Sequence, residues 1–432
     1  MRRHPGLHPG CGSMLTNGYA NCHFGAKANG IRPNTASLRT DKSNETGVNK
    51  KGRFVFICDW LPPDFGAVGQ YALLSARELA RSGWKVTLFG LTSGKARRES
   101  AEPIGEGTLE VIRISRPSYE KQKLAKRLVW TIASNLLLLR AAFGSMRRAD
   151  AVMFTGSPPL MVHFIAPLNL IIGKKLIYRI TDFHPECLIA ERGQAGFLVN
   201  ILLRLTQFWR RRIDTFEVLG LDQARRLAES GIPEGRIELK RDPSPVVFSP
   251  QLRPLQLSDS LRDGTGVILY SGNWGVAHDE DTFIEAYSEY FRQSPRGLKF
   301  WLNAVGAKAD RVENELRRRD TFVYRTRPAP LAELPQLLIA ADAHLITLRD
   351  AFVGYVLPSK VYACIASRKR IIFVGSASSD VHLLASAAPT TLNYHRVDVG
   401  DVDGLVKVFY DIESAVVSER KHQAFSERMA FL

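Results

Sequence analysis

The stretch YSGNWGVAHD (270–279) is the most informative part of this 432-residue chain. The apolar run VILY (267–270) before it predicts a buried strand, and DTFIEAY (281–287) after it predicts a helix that opens on acidic residues. A glycine-containing turn between such a strand and helix lies at the carboxyl edge of an open α/β sheet, where ligands bind. Amides at the N-terminus of the following helix favour phosphate. The stretch therefore predicts an α/β sheet with a ligand site at this turn.

A second unit of the same kind begins near residue 54. The apolar run FVFICDW (54–60) is followed by the glycine-bearing loop PPDFGAVG (62–69) and a helical pattern over 72–83. Strand and helix patterns then alternate to about residue 220 and again from residue 267, which predicts parallel sheets covered on both faces. Because 432 residues with 45% hydrophobic side chains can bury two cores, we predict two Rossmann-like doubly wound domains that face each other across a cleft.

The predicted organisation has five parts. Residues 1–50 lack apolar periodicity and are interpreted as a disordered basic tail or an upstream extension. The remaining parts are an N-terminal Rossmann-like domain (51–245), a proline-rich interdomain linker (246–266), a C-terminal Rossmann-like domain (267–410) and a C-terminal helix (411–432). This last helix is expected to pack back across the cleft. No internal repeat is visible beyond the resemblance of the two halves.

The composition limits which partners and which cellular compartment we expect for this protein. A net charge of +16 indicates an anionic partner, which leaves nucleic acid, anionic lipid and a phosphorylated substrate open. The five cysteines are scattered without a C-x-x-C pair, which argues against a disulfide framework or a zinc site and for a reducing compartment. Without an apolar run of membrane-spanning length or a secretory signal pattern, we expect the protein in the cytoplasm.

Several polar or glycine-rich turns follow predicted strands of the N-terminal half. Gly66 and Gly69 follow the first strand and let the backbone approach a ligand, although a plain strand–helix turn explains them equally well. Ser157 lies in the polar turn TGSPPL (155–160), which precedes a helix expected to start at a proline.

The turn ITDFHPE (180–186) carries three proton-handling side chains, Asp182, His184 and Glu186. Because a strand of an α/β sheet ends here, Asp182 and His184 are the candidate general base and acceptor-orienting group. The competing interpretation makes Asp182 a helix cap with Pro185 in the first turn.

A lysine at a helix start marks the C-terminal half. In GYVLPSKVYA (354–363), Lys360 follows Pro358 and Ser359 at a predicted helix N-terminus. Free amides, the helix dipole and an ammonium together suit a diphosphate. A lysine on a helix is usually only solvated, so this interpretation depends on the loop 272–278 in the same domain.

Taken together, TGSPPL, TDFHPE, YSGNWGVAHD and LPSKVYACIASRKRIIFVG resemble the retaining glycosyltransferases of family 4, which have the GT-B fold. The closer resemblance is to the WbuB-like, fucosamine-transferase-like subgroup of surface polysaccharide synthesis. It implies a nucleotide-sugar donor (a UDP- or GDP-sugar) bound by the C-terminal domain, an acceptor bound by the N-terminal domain, and neither a cofactor nor a metal. The implied donor-binding residues are Gly272, Asn273, Trp274, Gly275, His278, Pro358, Ser359 and Lys360.

Some positions depart from the family pattern. Asn273 and His278 stand where family members carry an arginine and a lysine that hold the donor phosphates, and Tyr355 and Ala363 fall at the two family glutamates. Lys360 would then supply the missing phosphate charge. These losses leave open a catalytically impaired relative that acts as a partner subunit. A basic nucleic-acid-binding protein is a weaker alternative, because no stacking platform or nucleic-acid motif is present.

Two basic amphipathic helices are predicted in the acceptor domain, over residues 121–148 and 197–212. Both combine leucines on one face with lysines, arginines and aromatic residues, which is typical of helices in a bilayer interface. The alternative is that the leucines face the core and the basic ends are solvated. We therefore expect a lipid-linked or saccharide acceptor, an anionic membrane surface and no nucleic acid as partners. The protein is then peripheral at the inner face of the membrane.

Overall fold

The described residues form two mainly parallel sheets, each with helices on both faces. The computed structural model describes residues 52–64, 66–117, 124–389 and 393–430. The predicted N-terminal tail, residues 1–50, lies outside these described residues. One sheet lies within residues 53–239 and the other within residues 266–397, and we call the parts of the chain around them the first and the second domain. Both predicted strand–turn–helix units are therefore parts of parallel α/β sheets.

The first domain contains nine strands in one sheet. They are β1 (Arg53–Trp60), β2 (Lys85–Thr92), β3 (Arg97–Arg98), β4 (Glu102–Ile104), β5 (Gly107–Ser115), β6 (Ala151–Thr155), β7 (Lys175–Ile180), β8 (Thr215–Val218) and β9 (Ile237–Leu239). The strand order is β3-β5-β2-β1-β6-β7-β8-β9, with β4 also paired to β5. Strands β3 and β4 run antiparallel to β5, and the other pairs are parallel.

Helices connect these strands over both faces of the sheet. They are α1 (Ala67–Arg81), α2 (Leu124–Arg147), α3 (Val162–Ile172), α4 (Glu186–Arg192), α5 (Phe197–Arg210) and α6 (Leu221–Glu229). The strands they cover are nearly continuous apolar runs, as expected for a sheet buried on both faces.

The second domain has a six-stranded parallel sheet. Its strands are β10 (Gly266–Asn273), β11 (Leu298–Val305), β12 (Tyr324–Thr326), β13 (Ala343–Thr347), β14 (Arg370–Val374) and β15 (Tyr394–Val397), in the order β12-β11-β10-β13-β14-β15. Its helices are α7 (Asp259–Arg262), α8 (Asp281–Gln293), α9 (Ala307–Arg318), α10 (Leu334–Ala340), α11 (Lys360–Ala366), α12 (Asp380–Ser386) and α13 (Val402–Ala430). The strand order reverses between β10 and β13, and in the first sheet it reverses between β1 and β6. Such switch points are where α/β sheets bind ligands.

Several element boundaries differ from the sequence prediction. Helix α1 begins at Ala67 instead of residue 72, and α3 begins at Val162 instead of at a proline. Helix α13 begins at Val402, whereas the sequence predicted a separate C-terminal helix from residue 411. The short strands β3, β4, β9 and β15 were not predicted, because they are largely exposed or half-buried edge segments without an apolar run.

Two elements pack on the second domain: the interdomain connection and the C-terminal helix. Val246 and Leu261 are buried against Val267 of β10 in one apolar cluster. Helix α13 packs on α8, and its Glu413 accepts a hydrogen bond of 2.6 Å from the Tyr290 hydroxyl. The structure therefore places this helix on its own domain, where the sequence had suggested that it crosses the cleft.

Helix α2 is long and apolar enough to cross a membrane by length and composition, over Lys126–Arg147. The sequence analysis had found no such span. One side of α2 nevertheless carries Leu138, Ala142 and Met146, which are fully buried in the core of the first domain. Spanning a bilayer would strip these side chains from the sheet, so the helix is a layer of the domain.

Candidate functional site

The carboxyl end of β10 forms one wall of the site. Gly272 has a φ of 117°, in the region that favours glycine, and precedes Asn273, the exposed last residue of the strand. Trp274 is fully buried and stacks on Tyr270 with ring centroids 3.8 Å apart. Its side chain is therefore a core element that supports Tyr270. Its backbone N–H is also committed, because it donates to the Val305 carbonyl at 2.9 Å.

Lys360 extends over this wall from the first turn of α11. Its Nζ lies 3.3 Å from the centroid of the Tyr270 ring, and a side chain added at Gly272 would meet Lys360 Cε at 4.0 Å. The Nζ atom is buried and has no hydrogen-bond partner among the described residues. Burial lowers the pKa of Lys360 to about 7. A buried cation without a counter-charge is costly in an empty protein and is expected where an anionic ligand supplies the partner.

His278 adjoins Lys360 but carries no positive charge near pH 7. Burial, followed by the positive charge of Lys360, lowers the pKa of His278 to about 3. Its Nδ1 lies 2.6 Å from the Thr347 carbonyl oxygen, which can only accept, so Nδ1 holds the ring proton. The neutral imidazole leaves Nε2 as an acceptor. Lys360 is therefore the buried cation of this wall, and the more exposed guanidinium of Arg349 lies nearby, 3.5 Å from the Val276 carbonyl oxygen.

Acidic side chains surround the N-terminus of α8, where the sequence predicted amides for phosphate. The Asp279 carboxylate accepts the backbone N–H of Thr282 at 3.2 Å, and the buried Glu280 carboxylate is paired with Lys308 and Arg311. These acidic groups already satisfy and neutralise the positive end of the helix. The helix amides stay a prediction, and these contacts favour the loop backbone and Lys360 over them as a phosphate site.

The segment before Lys360 joins the two domains. Asp182 and Val356 form an antiparallel bridge, and the Phe183 N–H donates to the Tyr355 carbonyl at 3.1 Å. The Tyr71 hydroxyl of α1 donates to the Ser359 carbonyl at 3.5 Å. Pro358 and Ser359 thus belong to a strap, residues 354–359, that connects the Asp182 turn to the start of α11.

Asp182 lies at the end of β7 beside a second carboxylate, Asp59, at the end of β1. Burial raises the pKa of Asp182 to about 6, and the negative charge of Asp59 contributes to the same shift. Burial also raises the pKa of Asp59 to about 6, partly offset by the hydrogen bond that the Ser157 hydroxyl donates to its Oδ2. Two nearby carboxyls with pKa values near neutrality can accept or hold a proton at physiological pH.

Asp182 does not cap the following helix. Helix α4 has Pro185 at its cap position, with no side chain bonded to the first turn. The carboxylate of Asp182 has no hydrogen-bond partner recorded among the described residues, and Asp59 Oδ1 is buried without one. Asp182 is therefore not a helix cap, and both carboxylates keep the capacity to accept a hydrogen bond.

His184 and Glu186 have different surroundings. Burial lowers the pKa of His184 to about 4, so the imidazole is neutral near pH 7 and acts as a hydrogen-bonding group. Glu186 is paired with the fully buried Arg210 of α5, which also donates to the His184 carbonyl at 3.2 Å. Glu186 therefore fixes the turn through Arg210, and its carboxylate is already committed.

The two glycines of the first loop act on packing. Gly69 lies in the first turn of α1, where an added Cβ would stand 1.7 Å from the Trp60 carbonyl oxygen. Gly66 precedes the helix and has room for a side chain, with its nearest neighbour at 3.8 Å. Gly69 thus lets α1 approach the end of β1, which sets the position of Asp59.

The sequence analysis did not identify Asp59 as a site residue. It stands in the run FVFICDW, where a carboxylate interrupts apolar residues at a strand end before a glycine loop. This interruption could have indicated the site, because an acidic residue at the end of a buried strand lies at the edge of the sheet where ligands bind.

Comparisons with known proteins agree with this arrangement. Residues 66–241 match the family described as glycosyl transferase 4-like domain. The probable glycosyltransferase WbjE of Pseudomonas aeruginosa is 23% identical over 314 residues, which are 69% of this chain and 74% of WbjE.

Two solved structures are similar across most of both chains. An α,α-trehalose-phosphate synthase (UDP-forming) from Burkholderia vietnamiensis has a TM-score of 0.56 at 11% identity, covering 86% of this chain and 96% of that chain. Anabaena HepE, solved in complex with UDP, has a TM-score of 0.53 at 12% identity, covering 88% and 100%. The fold is GT-B. The predicted fold class is confirmed, and the domain match supports a glycosyltransferase of the family 4 kind.

Proposed function

We propose that the protein transfers a sugar from a nucleotide-diphosphate sugar to an acceptor hydroxyl. The observation that carries this proposal is the buried ammonium of Lys360 over Tyr270, which has no hydrogen-bond partner among the described residues. The strap 354–359 joins it to the backbone of Asp182, whose carboxyl pKa burial raises to about 6. A group that needs an anion and a group that takes a proton thus lie at the two ends of one short segment. Glycosyl transfer from a diphosphate requires both.

On the donor side, Lys360 would bind the diphosphate, with the backbone of Gly272 and Gly275 approaching it closely. Cleavage of the bond between the anomeric carbon and the phosphate oxygen leaves the electron pair on that oxygen. An ammonium in a low-dielectric site stabilises this developing charge more than it would in water. The UDP complex of the structural relative HepE supports a uridine nucleotide as the first donor to test.

On the acceptor side, Asp182 would accept the proton of the acceptor hydroxyl as its oxygen bonds to the anomeric carbon. Its pKa of about 6 keeps it ionised at pH 7 yet basic enough to take the proton. Asp59 would hold Ser157 and keep the pKa of Asp182 raised. Neutral His184 would orient the hydroxyl. We infer retention of the anomeric configuration and no catalytic metal from the resemblance to family 4.

The acceptor we propose is a lipid-linked saccharide of surface polysaccharide synthesis, and the sugar a hexose or N-acetylhexosamine. The supporting observation is the position of the basic helix α2, whose Arg127 contributes to lowering the pKa of His184 and therefore lies near the acceptor edge. A cation there suits the phosphate of a lipid-linked acceptor. The motifs that resemble the WbuB-like subgroup support the same acceptor class.

A direct test combines binding and turnover. The purified chain would be screened against UDP- and GDP-sugars by thermal denaturation, since a donor at one hundred times its dissociation constant stabilises by about 2.7 kcal/mol. Release of the nucleoside diphosphate with a membrane extract as acceptor source measures transfer. Donor binding without release of the nucleoside diphosphate, whichever acceptor is supplied, would support a partner subunit instead. Salt-sensitive RNA binding without donor binding would contradict the proposal.

A further inference from the structure

Three neighbouring helices of the first domain present large apolar side chains to solvent. In α2, Val129 is 66% exposed and Leu136 is 53% exposed; in α3, Ile171 is 85% exposed; in α5, Phe197 is 79% and Leu198 is 77% exposed. Helices α2 and α3 pack on each other, as do α3 and α5. The exposed residues therefore form one surface, the α2–α3–α5 face, which also includes Leu128, Ile132, Phe143, Leu170, Ile201, Leu205 and Phe208.

The exposed apolar residues of this surface are different from the residues through which the same helices pack on the core. Helix α2 buries Leu138 and Met146, and α3 buries Ile165, against the first sheet. The alternative in which the leucines of α2 face the core is therefore wrong for Leu128 and Leu136. Contiguous apolar surface beyond the usual scattering on a soluble protein marks an interaction site.

Charge on the face is of one sign. The three helical segments contain no aspartate or glutamate. The cations within and directly after these helices are Lys126, Arg127, Arg140, Arg147, Arg148, Lys174, Lys175, Arg204, Arg211 and Arg212, and the buried Arg210 is paired with Glu186. Arg212 lies over the rings of Phe208 and Trp209, with its Cζ 3.7 and 5.5 Å from their centroids. Aromatic and basic side chains around an apolar centre match the headgroup layer of an anionic bilayer.

The same face reaches the acceptor edge of the first sheet. Trp130 of α2 stacks on Trp60, the last residue of β1, with ring centroids 5.8 Å apart. Trp60 directly follows Asp59. A bilayer on this face would therefore lie next to the carboxylate pair, at the point where a lipid-linked acceptor has to enter.

We propose that the α2–α3–α5 face docks on an anionic lipid bilayer, with the apolar side chains inserted among the headgroups and the cations paired with lipid phosphates. Helix α2 has 24 residues, and so presents a length of about 36 Å to the surface. A bilayer can cover three helices at once without matching their shape. This docking goes beyond the proposed function and does not depend on it, because it is measured without donor or turnover.

The test uses the purified full-length chain and sedimentation with vesicles of phosphatidylcholine alone or with about 30% phosphatidylglycerol. The wild type is expected to bind the anionic vesicles and to be partly released at 1 M salt, where screening shortens electrostatic reach to about 3 Å. Replacing Leu170, Ile171, Phe197 and Leu198 together with glutamine is expected to weaken binding at least about tenfold. All four are exposed, so the variant keeps its core.

Two controls make the result specific. Leu383→Gln alters an apolar residue of α12 in the second domain that is 37% exposed, and it should leave vesicle binding unchanged. Arg211→Gln with Arg212→Gln should reduce binding to anionic vesicles and its salt sensitivity together. Equal vesicle binding by the wild type and the quadruple variant would overturn the proposal. So would an absence of vesicle binding together with a dimer that the quadruple variant dissociates, which would make this face a contact between copies of the chain.

Discussion

The carboxyl edges of the two sheets share a topology but carry opposite charges. Both have a switch point beside the central strand, β1 in one sheet and β10 in the other. The first edge holds the carboxylates of Asp59 and Asp182, whose pKa values burial raises to about 6. The second holds the ammonium of Lys360, whose pKa burial lowers to about 7. Burial thus brings the pKa values of both kinds of group close to neutral pH. A charged ligand can then easily change the protonation state of the carboxyls or of the ammonium.

The largest effect is expected from Asp182→Asn. An amide cannot accept the proton, and general base catalysis contributes about 10²–10⁴-fold, so turnover should fall by that factor. Because Asp182 lies on the acceptor edge, affinity for the nucleotide sugar should stay near that of the wild type. Initial rates of nucleoside diphosphate release and calorimetric donor binding measure the two effects separately.

A matched control for this change is Asp403→Asn, which alters an exposed aspartate in the first turn of α13. It should leave both quantities unchanged. His184→Ala should lower turnover less than Asp182→Asn, because a neutral imidazole orients the hydroxyl without taking its proton. Normal turnover per folded molecule in Asp182→Asn would remove Asp182 from the mechanism.

Lys360→Met tests the opposite edge. A hydrogen bond to a charged group contributes about 1.5–3 kcal/mol, so donor affinity should fall about tenfold to 150-fold. The measurement is calorimetric binding of UDP or GDP. Lys308 is a poor control because it pairs with the buried Glu280, and the exposed Lys407 of α13 is the better one. Equal nucleotide affinity in Lys360→Met and Lys407→Met would place the diphosphate elsewhere.

The same variant separates a binding role from a structural role. The folded pKa of Lys360 lies below its unfolded value, so the charged form destabilises the empty protein most below pH 7, and that penalty disappears above about pH 10. Lys360→Met should therefore raise the melting temperature at pH 6 and lose this advantage toward pH 10. Donor affinity of the wild type should fall as pH rises through 7, because the ammonium that binds phosphate is lost.

Much of the fold could be predicted because buried parallel strands are apolar runs separated by turns. The strands β1 and β10 were predicted in this way, and the turns TGSPPL and ITDFHPE marked the ends of β6 and β7. The edge strands β3, β4 and β9 have no such run, since their faces are largely exposed. The start of α1 was misplaced because Gly69 indicates a loop, whereas here it lets the helix touch the Trp60 carbonyl.

The site was less predictable than the fold. Lys360 was identified from its position at a helix start, but no sequence pattern shows that its Nζ is buried against Tyr270. Asp59 was missed and Trp274 was assigned to the donor, because burial of a particular side chain depends on contacts between distant segments. Glu186 was similarly placed at the acceptor, while its partner Arg210 lies on a different helix.

Replacing glycines with alanine at the two sheet edges should separate an effect on stability from an effect on donor binding. Gly69→Ala would place a Cβ 1.7 Å from the Trp60 carbonyl oxygen, so the free energy of unfolding should fall by about 1–3 kcal/mol. Gly272→Ala would strain a φ of 117° in the backbone next to Lys360, so it should weaken donor binding as well as stability. Gly66→Ala, with room for the methyl group, is the control. Denaturant unfolding and calorimetry on the three variants test the distinction, which fails if Gly69→Ala weakens donor binding as Gly272→Ala does.

The smallest effect expected is from Asp59→Asn, and it tests whether the two carboxylates act as a pair. Burial is the larger cause of the raised pKa of Asp182, and the negative charge of Asp59 is the second. Removing that charge should lower the pKa of Asp182 by less than about one unit. A shift of one unit corresponds to about 1.36 kcal/mol of interaction energy between the two carboxyls. Because Asp182 must be ionised to accept a proton, kcat/KM falls as pH drops through about 6 in the wild type. In Asp59→Asn that fall should occur at lower pH, with little change in rate at pH 8. A loss of about 10²–10⁴-fold at every pH, with Asp182→Asn nearly unaffected, would exchange the roles and make Asp59 the base.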